Sequence, residues 1–291
     1  MKIRIGVGLG AETPPARLPG IVDRLEAAGI DSVWFSEQVY SEAVDPFIGM
    51  ANALARTERL KAGTSVAVLP GRHPVLVAKQ IASLAALAPK RVLPVFGLRP
   101  ARRAEWDLFE VPVGARAAVF DESLRLLRAA LAGAEEFDGE FWKLDGVRPG
   151  PQPPQVDLWL GGSAPAALRR VGRYADGWLG SFLSPAEAKL ARKSIEAEAE
   201  SAGRSIEDDH YGMSLILSEE GITPDLAAAA RSRRPDTPPE QVIAGSWPEL
   251  HRLLDGHLEA GLTKFVVYHR GSAPFDEFVD RFVTELLPRQ N

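Results

Sequence analysis

Two adjacent glycines, Gly161 and Gly162, stand at the tip of an apolar run, DLWL, and are followed at once by Ser163, Ala164 and Pro165 where a helical pattern begins. A helix start exposes unpaired backbone N–H groups and the positive end of the helix dipole. Glycines ahead of it let a phosphate come close to the backbone, and a serine hydroxyl adds a donor. The chemistry on offer is anion binding. A plain strand-to-helix turn capped by Ser163 would use the same residues.

Other residues with chemical potential also follow apolar runs. Glu37 and Gln38 come directly after SVWF. A carboxylate there could move a proton if burial raised its pKa, or could simply hold structure. Gln38 cannot accept a proton at neutral pH. Gly97, Arg99, Arg102 and Arg103 follow RVLPVF; the arginines could meet an anion or form a solvated rim. His73 in GRHPV shapes a turn, and Trp106, Phe109 and Trp142 either line a pocket or anchor packing.

The elements that position these residues are read from periodicity. Ile3, Ile5 and Val7 alternate as a strand, and Leu18, Ile21, Val22 and Leu25 fall on one helix face that ends at Gly29. Further strands are read at 32–35, 62–69, 91–96, 157–160, 177–182, 211–217 and 264–268. Helices are read at 46–55, 74–87, 122–131, 164–173, 185–202, around Leu250–Leu258, and from Phe275 onward. Eight strands, each followed by a helix, predict an α/β fold, a (β/α)8 TIM barrel formed by one domain over 1–291. A doubly wound open sheet is the alternative, and the lack of an early GxGxxG counts against it. Segments 100–118 and 218–246 read as long polar lids, and 134–156 as a hairpin-like excursion. In such a barrel the active site lies at the carboxyl ends of the strands. That rule selects Glu37, Gln38, Ser65, Val66, Gly97, Arg99, the Gly161–Pro165 turn and Trp178.

Composition narrows the chemistry. The 291-residue chain is 45% hydrophobic and 25% charged, with a formal net charge of -5, which argues against nucleic acid as a partner. It has no cysteine, so disulfides, thiol catalysis and cysteine metal sites are excluded, and its five histidines show no metal-binding spacing. The opening MKIRIGVGLG lacks the apolar core of a signal peptide, and no run of residues is apolar enough to span a bilayer. The expectation is a cytoplasmic protein that acts on a small molecule.

GGSAPAALRRVGRYADGW is similar to a motif of the bacterial luciferase-like family, barrel proteins that use flavin or the deazaflavin coenzyme F420. AAGIDSVWFSEQ, KAGTSVAVLPGRHPVLVAKQIASL, FDGEFWKL, LEAGLTKFVVY and FVTELLP resemble the same family in the same order and span nearly the whole chain. The resemblance implies that Gly161, Gly162, Ser163, Ala164 and Pro165 hold a cofactor phosphate. It also implies a cis peptide between Ser65 and Val66, in GTSV, behind the cofactor ring. It points to the F420-dependent oxidoreductase branch, with an FMN-dependent monooxygenase as the alternative, and to a homodimer or larger homo-oligomer.

The chain departs from that family in two places. Gln38 stands where relatives often carry a histidine base, which favours reduction of a substrate over oxidation of an alcohol. Pro94 and Phe96 stand where glycines are expected, and an inward Phe96 would fill cofactor volume. These departures keep open a third reading, a barrel that has lost catalysis and serves a binding role.

Overall fold

The computed structural model describes residues 2–146, 148, 150–152 and 155–291. Parallel strands run in chain order around a closed ring: Arg4–Leu9, Ser32–Phe35, Lys61–Thr64 with Ala67–Val68, Val92–Leu93 with Val95–Gly97, Trp159–Gly161, Gly177–Ser181, Tyr211–Leu217 and Lys264–His269. The last strand pairs with the first, with Gly6 opposite Val266 and Gly8 opposite Tyr268, which closes the barrel. The fold is the α/β TIM barrel that the alternation predicts.

Aromatic residues and glycines on neighbouring strands share the narrow interior. Trp34, Val95, Trp159, Leu179, Val266 and Tyr268 form one buried cluster. A Cβ on Gly8 would lie 2.4 Å from the Tyr268 ring, and one on Gly63 would lie 2.6 Å from the Trp34 ring. The first and third strands therefore give up side chains so that the second and eighth can carry large ones. A larger cluster lies between strands and helices, including Leu18, Ile21, Val22 and Leu25 of the helix Leu18–Ala27. Phe96 belongs to that outer layer and is fully buried in it. The expectation that an inward Phe96 fills cofactor volume is thereby corrected: residues alternate across a strand, and Val95 and Gly97 take the inward positions.

The third and fourth strands are each interrupted, where the sequence predicts continuous runs. The third breaks at Ser65–Val66, whose peptide bond is cis, as the resemblance implies. The fourth breaks at Pro94, which has no N–H for the ladder. Thr64 spans the gap: its hydroxyl donates to the Val95 carbonyl at 2.6 Å and accepts from the Val95 N–H at 2.8 Å.

Two of the predicted lids contain regular structure. Segment 100–118 forms a 3-10 helix, Arg103–Leu108, and the helix that follows starts at Arg116 rather than Glu122. Segment 218–246 holds a helix, Pro224–Arg233, and a short strand, Ile243–Ala244, paired with the seventh barrel strand. The excursion at 134–156 is a hairpin, with Phe137–Asp138 antiparallel to Lys143–Leu144. Buried Glu122 fastens it by accepting from the N–H groups of Glu140, Phe141 and Trp142. Residues 147, 149, 153 and 154 of that segment lie outside the described residues.

Candidate active site

A cavity of about 540 Å³ opens at the carboxyl ends of the strands. Of the residues selected from the sequence, Glu37, Gln38, Ser65, Val66, Gly97, Arg99, Gly161, Gly162, Ser163 and Ala164 line it. Pro165 and Trp178 do not. Pro165 is the first residue of the helix Pro165–Tyr174, whose N-cap Ala164 offers no side-chain cap to the amides of the first turn. Trp178 is fully buried, and its indole N–H donates to the Gly162 carbonyl at 2.9 Å. It braces the glycine turn from the sixth strand.

The turn needs glycine at one position for backbone reasons. Gly162 has φ +105, and a Cβ there would lie 2.9 Å from the Ala167 methyl. Gly97 and Gly161 serve a different need. A Cβ on Gly97 would come within 2.6 Å of one Val66 methyl, and a Cβ on Gly161 within 2.9 Å of the other. Val66 thus lies between the fourth and fifth strands, filling the space that two missing side chains leave.

Hydroxyls secure the Ser65–Val66 segment. Ser36 donates to the Ser65 carbonyl at 3.0 Å and lies 3.0 Å from the Tyr268 hydroxyl, which itself reaches the Ser65 carbonyl at 3.5 Å. The Ser65 N–H donates to Phe35 and the Glu37 N–H to Val66, so the end of the second strand clamps both sides of the bond. Burial pushes the Tyr268 phenol above its usual range.

Glu37 is buried, and both of its oxygens are engaged. Oε2 accepts from the Val68 N–H at 2.6 Å, and Oε1 pairs with the Arg72 guanidinium. Burial raises its pKa, while Arg72 and the Val68 amide pull it back; the net direction is upward. Gln38 reaches the cavity beside it, and its carbonyl accepts from the Ser41 hydroxyl.

Cationic side chains surround the mouth. Arg99 lies over the Trp106 ring at 4.6 Å, Arg170 pairs with Asp121, and Arg270 pairs with Glu12 at 2.6 Å. Arg233, from the helix Pro224–Arg233, also lines the cavity. Arg102 donates to the Tyr40 carbonyl, and Arg103 lies over Trp106, so neither joins Arg99 in the lining. His73 is the N-cap of the helix Pro74–Leu87, as a turn-shaping residue would be. Trp106, Phe109 and Trp142 do not line the cavity. Trp106 donates to Pro100, Phe109 lies beneath the Arg72 guanidinium, and Trp142 donates to Ser123.

Sequence reasoning missed Ser36, Ser214, Ile216, Tyr268, Arg170, Arg233 and Arg270, all of which line the cavity. The strand-end rule reaches Ser214, Ile216, Tyr268 and Arg270 once it is carried on to the seventh and eighth strands. For Arg170 and Arg233, helical residues among many arginines, the sequence holds no comparable signal.

The luciferase-like monooxygenase family matches residues 1–247. The chain belongs to this family. An uncharacterised protein of Mycobacterium tuberculosis is 34% identical over 212 residues, covering 68% of this chain and 73% of its own length. An F420-dependent glucose-6-phosphate dehydrogenase of Beutenbergia cavernae is 29% identical over 99% of this chain and 97% of its own. Among solved structures, an F420-dependent secondary alcohol dehydrogenase in complex with an F420–acetone adduct superposes with a TM-score of 0.85 at 20% identity, covering both chains completely. That last likeness concerns the fold. Among the described residues, no helix is long and apolar enough to cross a membrane.

Proposed function

We propose that this family member is an F420-dependent oxidoreductase that reduces a small organic substrate in the cavity described above. One observation carries the reading: a single cavity joins an uncapped helix start behind Gly162 to a floor formed by Val66. The two ends suit an anionic group and a flat ring respectively. Bound there, coenzyme F420 supplies a hydride, that is, two electrons and one proton. Gly162, Ser163 and Ala164 hold its phosphate, and Trp178 holds Gly162. Val66 backs the ring, and Ser36 and Tyr268 fix the carbonyl that precedes it.

The protonation states favour reduction. Oxidising an alcohol needs a group that accepts its proton. Among the described residues no histidine lines the cavity, and Glu37 has both oxygens committed. Glu37 is a positioning residue in this reading, and Gln38 offers an amide to the substrate. Bulk solvent would supply the proton that accompanies the hydride. The outward Phe96 removes one of the three supports for a barrel without catalysis, Pro94 and Gln38 being the other two.

Titration of the purified protein with F420 and, separately, with FMN tests the assignment. Tight binding of F420 with weak binding of FMN is the expected result. The reverse preference would favour a monooxygenase using reduced flavin, and binding of neither would end the oxidoreductase reading.

The reading also takes 1–291 as a single domain of a cytoplasmic homodimer or larger homo-oligomer that binds neither nucleic acid nor membrane. Support for self-association comes from apolar side chains left exposed: Tyr40, Ile48 on the helix Pro46–Arg56, and Leu76 on the helix Pro74–Leu87. Sedimentation equilibrium is the measurement, and a monomer at micromolar concentration would exclude this state.

A further inference from the structure

The chain is acidic overall, yet its cavity is cationic. Among the described residues, Arg99, Arg170, Arg233 and Arg270 line it against a single carboxylate, Glu37, which already pairs with Arg72. Two of the four guanidiniums are compensated, Arg170 by Asp121 and Arg270 by Glu12. Arg99 and Arg233 have no carboxylate at ion-pair distance among the described residues.

Arg233 is the better seated of the two. Its guanidinium lies 4.8 Å from the Phe182 ring centre, and Nη1 donates to the Ala229 carbonyl of its own helix at 3.1 Å. One edge of the guanidinium is held in place, and among the described residues its remaining N–H donors have no protein acceptor. The residue is solvent-exposed at the cavity mouth, and among the described residues no neighbouring carboxylate acts on it. The adjacent Arg234 shows the contrast: it turns away to pair with Glu187, which also accepts from Ser184 and Thr237. That network pins the end of the helix and leaves Arg233 facing the cavity.

We propose that the substrate is an anion, a small organic molecule whose carboxylate or phosphate group is held by Arg233. This rests on the oxidoreductase reading and names the substrate class for the same site. A preorganised guanidinium gives bidentate recognition of either group. The glycine turn supplies an anion cradle for the cofactor at the end of the fifth strand, and the Phe182 ring under Arg233 follows the neighbouring sixth strand. Arg233 comes from the insertion after the seventh strand, whereas the cradle follows the fifth.

The test uses F420-loaded protein titrated with inorganic phosphate and with succinate at constant ionic strength, followed by cofactor fluorescence and by thermal shift. Saturable binding is expected, weakened at least tenfold in Arg233→Gln and partly restored in Arg233→Lys. Arg231, on the same helix but outside the cavity lining, serves as control, and Arg231→Gln should bind both anions as the parent does. F420 affinity should stay within twofold in Arg233→Gln. Absence of saturable anion binding, or equal binding by Arg233→Gln, overturns the proposal. So does a loss confined to Arg99→Gln. A tenfold fall in F420 affinity in Arg233→Gln, with no change in the affinity for a deazaflavin lacking the phosphate and acidic tail, titrated in parallel, would give Arg233 to the cofactor's own tail and overturn the substrate assignment. Should F420 fail to bind the parent protein, the oxidoreductase reading falls, while the thermal-shift titration of the unloaded protein still reads Arg233.

Discussion

The Thr64 hydroxyl and the Val95 backbone exchange two hydrogen bonds, one in each direction, at the point where both of their strands are broken. Both residues are fully buried, so water cannot replace either bond. Thr64→Val keeps the shape and strands a buried N–H and a buried C=O. The expected cost is about 2–4 kcal/mol, since each unsatisfied group costs roughly 1–3 kcal/mol. Thr64→Ser should recover most of it. Urea unfolding of the two variants side by side is the measurement, and equal midpoints would show that the hydroxyl carries no such weight.

Gly162 tests the anion cradle. Gly162→Ala imposes a Cβ on a backbone at φ +105 and sets it 2.9 Å from Ala167. The expected outcome is a stability loss of about 1–2 kcal/mol together with at least a tenfold loss of F420 affinity. Trp178→Phe, which removes the donor to the Gly162 carbonyl, should weaken F420 several-fold without moving the cavity floor. Full affinity in both variants would show that the turn carries no phosphate.

Val66 and its two glycines should behave as a coupled set. Gly97→Ala pushes a methyl against Val66, with an expected cost of about 1–3 kcal/mol for overpacking. Combining it with Val66→Ala should return much of that stability, a non-additivity visible in a double-mutant cycle. Strict additivity would mean that Gly97 is required for something other than room for Val66.

His257 predicts a dependence of stability on pH. The residue is fully buried in the helix Trp247–Glu259, and among the described residues neither ring nitrogen has a hydrogen-bond partner. Burial lowers its pKa from 6.5 to about 4. The unfolded chain therefore binds a proton first as the pH falls. The contribution of the neutral ring is fully present above about pH 6.5 and is lost progressively as the pH falls through about 4. The window is worth roughly 3 kcal/mol. His257→Leu should flatten that part of the profile and raise stability at pH 5; an unchanged slope between pH 6.5 and 4 would point to other groups.

Elements with strong periodicity were legible from the chain alone. SVWF and YGMSLIL are strands over the same residues that the pattern marks, and the helix Pro74–Leu87 begins and ends where expected. The helix Pro224–Arg233 escaped because its apolar residues are mostly small alanines and only Ala230 is buried, so no hydrophobic face stands out. The breaks at Ser65–Val66 and Pro94 lie inside runs whose composition is ordinary for a strand. The glycine turn and the end of the second strand could be read because local sequence dictates them. Of the cationic lining only Arg99, at the end of the fourth strand, could be read, since which of the other arginines face a cavity is decided by tertiary packing.

The outward position of Phe96 has a consequence for how this pocket exists at all. Strand parity decides which of Val95, Phe96 and Gly97 faces inward, and a slip of one residue exchanges them. The Pro94 carbonyl, which accepts from Trp159 at 3.0 Å, and the Thr64 hydroxyl on Val95 fix that parity from both flanks. Empty space at the centre of the barrel is thus a matter of phase: moved one residue along, the same sequence would place a phenyl ring where the cavity now stands.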